Sequence, residues 1–150
     1  MTEIYVDADA CPVKEETVRV AERHGLTVHI VSNSGVRGPD HPLVRRVLVP
    51  GSPDAADDWI AERIGPGDIC VTQDIPLAAR CLEKGAKAIG PTGRPFTESS
   101  IGMALAMRDL ARHRRELGET TGGPAPFGKR DRSAFLQALE NAVQASKRGR

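Results

Sequence analysis

The chain has 150 residues, 39% of them hydrophobic, which suits one compact domain with a packed core and is too short for two domains of ordinary size. Its net charge of +1 hides an asymmetry, because residues 1–107 hold 11 Lys and Arg against 15 Asp and Glu, whereas residues 108–150 hold 10 against 5. An acidic body followed by a basic segment favours a cation site beside a surface for polyanions. Solvated helix faces are the alternative explanation for the basic part.

The cysteines and the apolar runs bear on the cellular compartment. Cys11, Cys70 and Cys81 are odd in number and have no C-x-x-C spacing, which argues against a disulfide framework and against a zinc site. The sequence has no run of about 18 apolar residues and no signal peptide, so we expect a cytoplasmic protein that does not bind membranes. The oligomeric state is not predicted.

The first predicted strand ends in two carboxylates. Ile4 to Val6 form a short apolar run that is followed by Asp7 and Asp9. Alternation along an extended strand points both side chains to the same side, where like charges repel unless a cation or a proton neutralises them. The pattern therefore indicates a site for a hard cation or for acid–base chemistry. An Asx-turn into the next helix, whose N-terminus favours negative charge, explains the same residues equally well.

The next elements predict a βαβ unit. Apolar residues at helical spacing predict a helix over 12–24, which Gly25 ends, and the β-rich segment 26–31 predicts a second strand. Ser32 and Asn33 then fall at the same carboxyl edge of the sheet as the carboxylates of the first strand. We therefore assign both residues to substrate binding.

A second acidic cluster begins the following helix. A short third strand over 46–49 is followed by a turn and by a helix that starts at Pro53. The first two turns of this helix carry Asp54, Asp57 and Asp58. The helix dipole accounts for Asp54 but less well for the other two, because carboxylates at this spacing repel each other. We expect at least one of the three to face the carboxylates of the first strand.

The fourth predicted strand adds a further carboxylate. Residues 69–72 form an apolar strand that ends at Thr72, and Asp74 follows it closely. Ligands of open α/β sheets bind outside the carboxyl ends of the strands, so Asp74 should share a crevice with Asp7 and Asp9. We assign Thr72, at the same edge, to substrate binding.

The succession of elements predicts the fold class. With a fifth strand over 86–89, the order is β-α-β-β-α-β-α-β. This order indicates an α/β fold, with one domain over 1–150. We expect a mostly parallel sheet of about five strands, with helices on both faces and further helices at the C-terminus.

The C-terminal segment is basic. A long helix with a basic second half over 108–115 precedes a Gly- and Pro-rich loop over 118–132, and a last helix over 133–146 is appended to the domain. Free N–H groups in a Gly-rich turn, together with cations at a helix start, form a phosphate clamp. The basic side chains that we assign to this clamp are Lys129, Arg130 and Arg132.

Four separated segments resemble the signature segments of the YaiI/YqxD family of uncharacterised bacterial proteins. They read IYVDADACPVKEE, VPGSPDAADDWIAE, ICVTQDIPLAARCLEKGA and TGGPAPFGKRDRSAFLQAL, in that order along nearly the whole chain. That family is in turn similar to PIN and NYN nuclease domains. The resemblance implies a PIN-like fold, in which aspartates at the ends of the first and fourth strands and on an intervening helix bind Mg²⁺ or Mn²⁺ for phosphodiester hydrolysis.

The resemblance carries over residue by residue. The matching positions in this chain are Asp7, Asp74 and one or more of Asp54, Asp57 and Asp58. Asp9 is an addition to that pattern. The Gly-rich loop and the helix at the C-terminus also depart from an ordinary PIN domain.

Our leading hypothesis is a metal-dependent nuclease that acts on RNA rather than DNA. Asp7, Asp9 and Asp74 would be catalytic, the whole aspartate cluster would hold Mg²⁺ or Mn²⁺, and the basic loop would hold backbone phosphates. The chain has only five aromatic side chains and no base-reading module, so the sequence does not specify the nucleic acid further.

Two other functions are considered. A non-catalytic nucleic-acid-binding or regulatory module explains the basic segment but leaves the acidic cluster without a role. A haloacid-dehalogenase-type phosphatase with Asp7 as its nucleophile fits less well. Asp68, the candidate for the later acidic motif of such enzymes, opens its strand instead of closing it.

Overall fold

The computed structural model describes residues 2–9, 11–33, 40–52, 54–103, 105–107 and 127–149. The strands are β1 (Ile4–Asp7), β2 (Val28–Ser32), β3 (Val44–Leu48), β4 (Ile69–Val71) and β5 (Lys87–Ile89). The longer helices are α1 (Lys14–His24), α2 (Asp54–Arg63), α3 (Ile75–Glu83) and α4 (Lys129–Lys147). Residues 98–103 and 105–107 are also helical.

The described strands form a five-stranded sheet in the order β3-β2-β1-β4-β5, and every neighbouring pair is parallel. The predicted α/β class with a parallel sheet is therefore confirmed. The chain winds outward from β1 to β3 and then returns to place β4 on the other side of β1. The strand order thus reverses between β1 and β4, and ligands of open α/β sheets bind outside the carboxyl ends of the strands at such a point.

Helices cover both faces of the sheet because successive side chains of each strand alternate between the two faces. On one face, Val6 of β1 belongs to a buried cluster that includes Val20 of α1 and Phe135 of α4. On the other face, Tyr5 of β1 joins a second cluster with Ile60 of α2. The predicted placement of helices on both faces is therefore confirmed.

The first helix and the second strand begin later than the sequence predicted. Helix α1 begins at Lys14 and not at residue 12. It ends as predicted at Gly25, which adopts the left-handed conformation with φ of 68°. The N–H of Leu26 returns to the carbonyl of Ala21, so Leu26 belongs to the helix end and β2 starts at Val28.

The last helix begins earlier than predicted. Helix α4 starts at Lys129 instead of Ser133, with Gly128 as its N-cap. The carboxylate of Asp131, in the first turn, accepts a hydrogen bond of 3.0 Å from the N–H of Gly128. This bond is one half of a capping box, and a glycine at the cap position hides it from a sequence pattern that looks for Ser or Thr. The predicted basic loop is therefore helical from Lys129 onward.

Some predicted features lie outside the described residues. They include the basic half of the long helix over 108–115 and the part of the Gly-rich loop over 118–126. Within the described part of the chain, none of the helices has the length and apolar character needed to cross a lipid bilayer.

Candidate carboxylate site at the sheet edge

A crevice of about 270 Å³ opens at the carboxyl ends of β1 and β4. Its lining includes all three aspartates that the sequence assigned to this edge, Asp7, Asp9 and Asp74. The segment after β4 contributes Thr72 and Gln73 to the same wall. The crevice therefore lies at the point where the strand order reverses and is acidic.

A buried hydroxyl links the two strand ends that flank the crevice. Thr72, which is 2% exposed, donates a hydrogen bond of 2.8 Å to Oδ2 of Asp7 and accepts one of 2.9 Å from the N–H of Asp74. Asp74 in turn caps α3, since its Oδ1 accepts a bond of 2.8 Å from the N–H of Leu77. These bonds fix the Asp7 carboxylate relative to Asp74. Thr72 therefore positions carboxylates, and its assignment to substrate binding stays a prediction.

Asp9 reaches the crevice from a turn and not from the strand. Strand β1 ends at Asp7, so strand alternation does not set the direction of the Asp9 side chain. Its Oδ1 accepts a hydrogen bond of 2.7 Å from the hydroxyl of Ser32, and its Oδ2 accepts one of 3.1 Å from the N–H of Asn33. Asp9 thus joins the end of β1 to the end of β2. Both donors lie more than 20 residues away along the chain, so these bonds are not the local bonds of an Asx-turn.

The three aspartates of α2 face different neighbours. Asp58 forms an ion pair of 2.8 Å with Arg80 of α3. Asp54 is exposed at the start of the helix. The carboxyl group of Asp57 is partly buried and interacts electrostatically with both Asp74 and Asp7. Of the three, Asp57 is therefore the one that is coupled to the crevice.

Burial and mutual repulsion raise the pKa of carboxyl groups in the crevice. Burial is the largest cause for Asp7, followed by the opposing hydrogen bond from Thr72 and the repulsion from Asp74 and Asp9, and the net pKa is raised. For Asp57, burial and then the charges of Asp74, Asp7 and Asp54 raise the pKa to about 7. Negative charge is therefore disfavoured at these two positions, and a nearby cation would relieve the cost.

The donor set consists of oxygen atoms, which hard cations such as Mg²⁺ prefer. In the described part of the chain, no group of three or more His, Cys, Asp or Glu side chains is close enough together to hold a metal ion. Mg²⁺ usually binds through one or two carboxylates, several waters and the phosphates of a substrate, and does not require a cage made only of protein atoms. The crevice offers this smaller set through Asp7 and Asp74.

The three basic residues of the predicted phosphate clamp have different surroundings in the structure. Lys129 and Arg130 are exposed in the first turn of α4. The guanidinium of Arg132 donates bonds of 2.8 Å to the carbonyl of Pro12 and 2.9 Å to Oε2 of Glu16, a carboxylate whose side chain is 9% exposed. Arg132 therefore joins α4 to α1, while its side chain remains 45% exposed.

Asp68 lies away from the crevice, at the opposite edge of the sheet. It precedes β4, and its two carboxylate oxygens accept bonds of 3.0 Å from the N–H groups of Glu3 and Gly65. This side chain is a buried link between loops. The arrangement that a haloacid-dehalogenase-type phosphatase would require at the carboxyl edge is therefore not made by Asp68.

The crevice also contains residues that the sequence did not single out for the site. Gln73, Pro91 and Cys11 all contribute to its lining. Burial raises the pKa of the Cys11 thiol, which disfavours a thiolate nucleophile. Gln73 lies between Thr72 and Asp74, which the sequence assigned to the site. Its position in the sequence was the only feature that could have predicted a place in the crevice.

The fold and the crevice define an α/β protein with a carboxylate site at its topological switch point. The model of the "Uncharacterized BCR, YaiI/YqxD family" matches residues 5–145, and the chain belongs to that family. A UPF0178 protein of Parvibaculum lavamentivorans is 70% identical over 148 residues, covering 99% of this chain and 97% of the relative. A UPF0178 protein of Rhodospirillum rubrum is 68% identical over 149 residues, covering 99% of each chain.

A third relative, a UPF0178 protein of Rhodopseudomonas palustris, is 59% identical over 150 residues, covering 100% of this chain and 95% of its own length. No solved structure matches the chain significantly. The family predicted from the four sequence segments is therefore confirmed.

Proposed function

We propose that this protein is a metal-dependent nuclease that hydrolyses phosphodiester bonds, with RNA as its substrate and Mg²⁺ or Mn²⁺ as its cofactor. The observation that carries the proposal is the convergence of Asp7, Asp9 and Asp74 in one crevice at the switch point of the sheet. The preference for RNA rests on the resemblance of the family to PIN and NYN domains.

The cation would be held by Asp7 and Asp74, with Asp57 as a third negative charge nearby. The raised pKa values of Asp7 and Asp57 support this choice, because burial and the neighbouring carboxylates disfavour the charged forms, which a bound cation would favour. Asp9 takes a smaller part, since both of its oxygens already accept hydrogen bonds from the end of β2. When bound, the cation would stabilise negative charge on the phosphoryl oxygens.

The side chains around the crevice would prepare it for a phosphodiester. The hydroxyl of Thr72 holds Oδ2 of Asp7 in one direction, and the capping bond to Leu77 holds Oδ1 of Asp74. This preorganisation reduces the rearrangement needed when the substrate arrives. Lys129 and Arg130 would neutralise backbone phosphates that lie outside the crevice.

A second candidate is a non-catalytic nucleic-acid-binding module. It is favoured by the structural bonds that Asp9 and Asp74 make as a strand link and a helix cap. It is also favoured by the lack of a three-carboxylate group within metal-binding distance among the described residues. Such a module would bind RNA without metal and would leave it intact.

Cleavage of RNA in the presence of Mn²⁺ or Mg²⁺ tests the proposal. We expect Asp7→Asn and Asp74→Asn to lower the rate by at least about a hundredfold, as expected when a group that stabilises transition-state charge is lost. Asn can still cap a helix, so Asp74→Asn should remain folded. Asp40→Asn is the matched control, since Asp40 is 97% exposed and pairs with Arg46 of the edge strand β3. Binding without cleavage under all metal conditions would support the non-catalytic module instead.

A further inference from the structure

A wider groove continues from the carboxylate crevice toward the C-terminal helix. The two cavities share Gln73 and Pro91, and the groove has a volume of about 600 Å³. Two of the three phenylalanines in the chain, Phe96 and Phe127, line it. The third, Phe135, is fully buried in the core. The groove thus places aromatic surface directly beside the proposed reaction site.

The loop after β5 builds one wall of the groove. The N–H of Gly90 bonds to the carbonyl of Arg94 at 2.9 Å, and the N–H of Phe96 bonds to the carbonyl of Ala88 at 2.8 Å, so the loop is tied back onto β5. Gly93 has a φ of 90°, and a Cβ atom placed there would lie 2.7 Å from the carbonyl oxygen of Ala134 in α4. The loop is therefore seated on the C-terminal helix.

The opposite wall comes from the start of α4. Phe127 is partly buried against the core, and the guanidinium of Arg132 lies 4.9 Å from the centre of its ring. This contact and the bonds from Arg132 to Glu16 and Pro12 hold the Phe127 ring to the body of the protein. Both aromatic residues are thus held by packing before any ligand binds.

The lining combines four kinds of chemistry. Phe96 and Phe127 offer flat apolar surface, Arg94 is an exposed cation, and Thr92 and Ser100 contribute hydroxyl groups. Asp131 adds a carboxylate, whose Oδ2 accepts a hydrogen bond from the N–H of Gly128. Aromatic surface next to a cation matches a nucleotide, whose base stacks on a ring while its phosphate pairs with the cation. A base within a duplex is already covered by its neighbours, so this contact requires an unpaired nucleotide.

We propose that this groove binds an unpaired nucleotide of single-stranded RNA, with its base against Phe96 and Phe127 and a flanking phosphate against Arg94. The inference rests on the proposed function, because it assumes that the adjacent crevice receives the phosphodiester of the same strand. It adds a substrate class to that function: the enzyme acts on single strands and not on duplexes. Volume, aromatic lining and continuity with the crevice all support the same occupant.

Binding of fluorescein-labelled single-stranded RNA, measured by anisotropy in EDTA, tests the groove independently of metal and of cleavage. Phe96→Leu and Phe127→Leu keep apolar volume but remove the ring, and each should weaken binding about five- to a hundredfold. Phe96→Tyr keeps the ring and should bind with an affinity close to that of the wild type. Arg94→Gln should reduce the slope of log affinity against log salt by about 0.7.

Arg45→Gln is the matched control, because Arg45 is exposed on β3, at the sheet edge opposite β5. The affinity of Arg45→Gln for single-stranded RNA, and its salt dependence, should be closer to the wild-type values than those of Arg94→Gln. A duplex of the same sequence should bind more weakly than the single strand and should not respond to Phe96→Leu. Unchanged single-strand affinity in both Leu variants, or tighter binding of the duplex, would overturn the proposal. Since no metal is present, neither result depends on whether the protein is a nuclease.

Discussion

Thr72 shows how a single buried hydroxyl organises the crevice. It donates to Asp7 and accepts from the N–H of Asp74, so one side chain satisfies groups on both sides of the switch point. Its bond to Asp7 lowers the pKa of that carboxyl against the larger raising effect of burial. The sequence placed Thr72 at the right edge of the sheet but gave no information about which partners it has.

Replacing Thr72 tests this role. Thr72→Val should raise the pKa of Asp7 further and should reduce the free energy of unfolding by about 1–3 kcal/mol, because the N–H of Asp74 loses its acceptor. Thr72→Ser retains the hydroxyl and should leave the pKa of Asp7 close to that of the wild type. Carboxyl ¹³C NMR gives the pKa and urea unfolding gives the stability. An equal Asp7 pKa in the Val and Ser variants would contradict the assigned hydrogen bond.

Asp57 provides a pH dependence whose sign is fixed. Its pKa is about 7 in the folded protein, against the ordinary value of 3.8, so the folded state binds this proton more tightly than the unfolded chain. Stability therefore falls as the pH rises from about 4 to about 7 through this group. At acidic pH the carboxyl is protonated and does not reduce the free energy of unfolding in this way.

Asp57→Asn should accordingly stabilise the metal-free protein most above about pH 7 and have little effect below about pH 4. Urea unfolding in EDTA at both pH values is the measurement. Asp40→Asn, at an exposed position, should show no comparable gain at the higher pH. A gain for Asp57→Asn that is the same at both pH values would show that ionisation of the Asp57 carboxyl is not its cause.

Among the elements, the strands were predicted well and the last helix less well. Short apolar runs bounded by Gly, Pro and Asp identify β1, β4 and β5 in the sequence, because each strand is buried on both faces. The start of α4 was missed by four residues, since its cap is a hydrogen bond from the backbone N–H of Gly128 to the side-chain carboxylate of Asp131. The contacts of Asp9 and Arg132 were also missed, because they join elements that are distant in sequence.

Gly93 tests how the loop after β5 is seated on α4. Gly93→Ala should reduce the free energy of unfolding by about 1–3 kcal/mol, since the new Cβ would meet backbone and the φ of 90° strains any other residue. Gly102→Ala is the matched control, because that glycine is helical and no other described part of the chain comes within 4 Å of its Cβ position. It should be neutral or stabilising by up to about 1 kcal/mol. Equal effects in the two variants, measured by urea unfolding, would contradict the close approach.

Of the cations at the start of α4, we expect Arg132 to contribute to stability and Lys129 and Arg130 to contribute to RNA binding. Arg132→Ala should reduce the free energy of unfolding by about 1–3 kcal/mol, because it leaves the nearly buried carboxylate of Glu16 without its partner. Replacing Lys129 and Arg130 by Ala should change stability by no more than about 0.5 kcal/mol, since both side chains are exposed.

The same Lys129 and Arg130 double variant should bind RNA with a smaller salt dependence, by about 0.7 of a log–log unit for each lost phosphate contact. Affinity measured over a salt series gives this slope. A wild-type slope in the double variant would show that these cations are only a solvated helix start.

For the whole molecule, the strand order decides where the site lies. The sequence predicts parallel strands and carboxylates at their ends, but it does not specify that β4 lies next to β1. That pairing brings Asp74 to Asp7 and creates the switch point. This pairing depends on packing around β1 between segments that are far apart in the sequence. Local sequence patterns carry little information about such packing.

Calorimetric titration of Mn²⁺ into the metal-free protein tests the central claim most directly. The account predicts saturable binding together with a rise in melting temperature, because a ligand of the folded state stabilises it by mass action. Asp7→Asn and Asp74→Asn should weaken both effects, while Asp40→Asn should retain them. Absence of binding heat and an unchanged melting temperature in the wild-type protein would contradict the account.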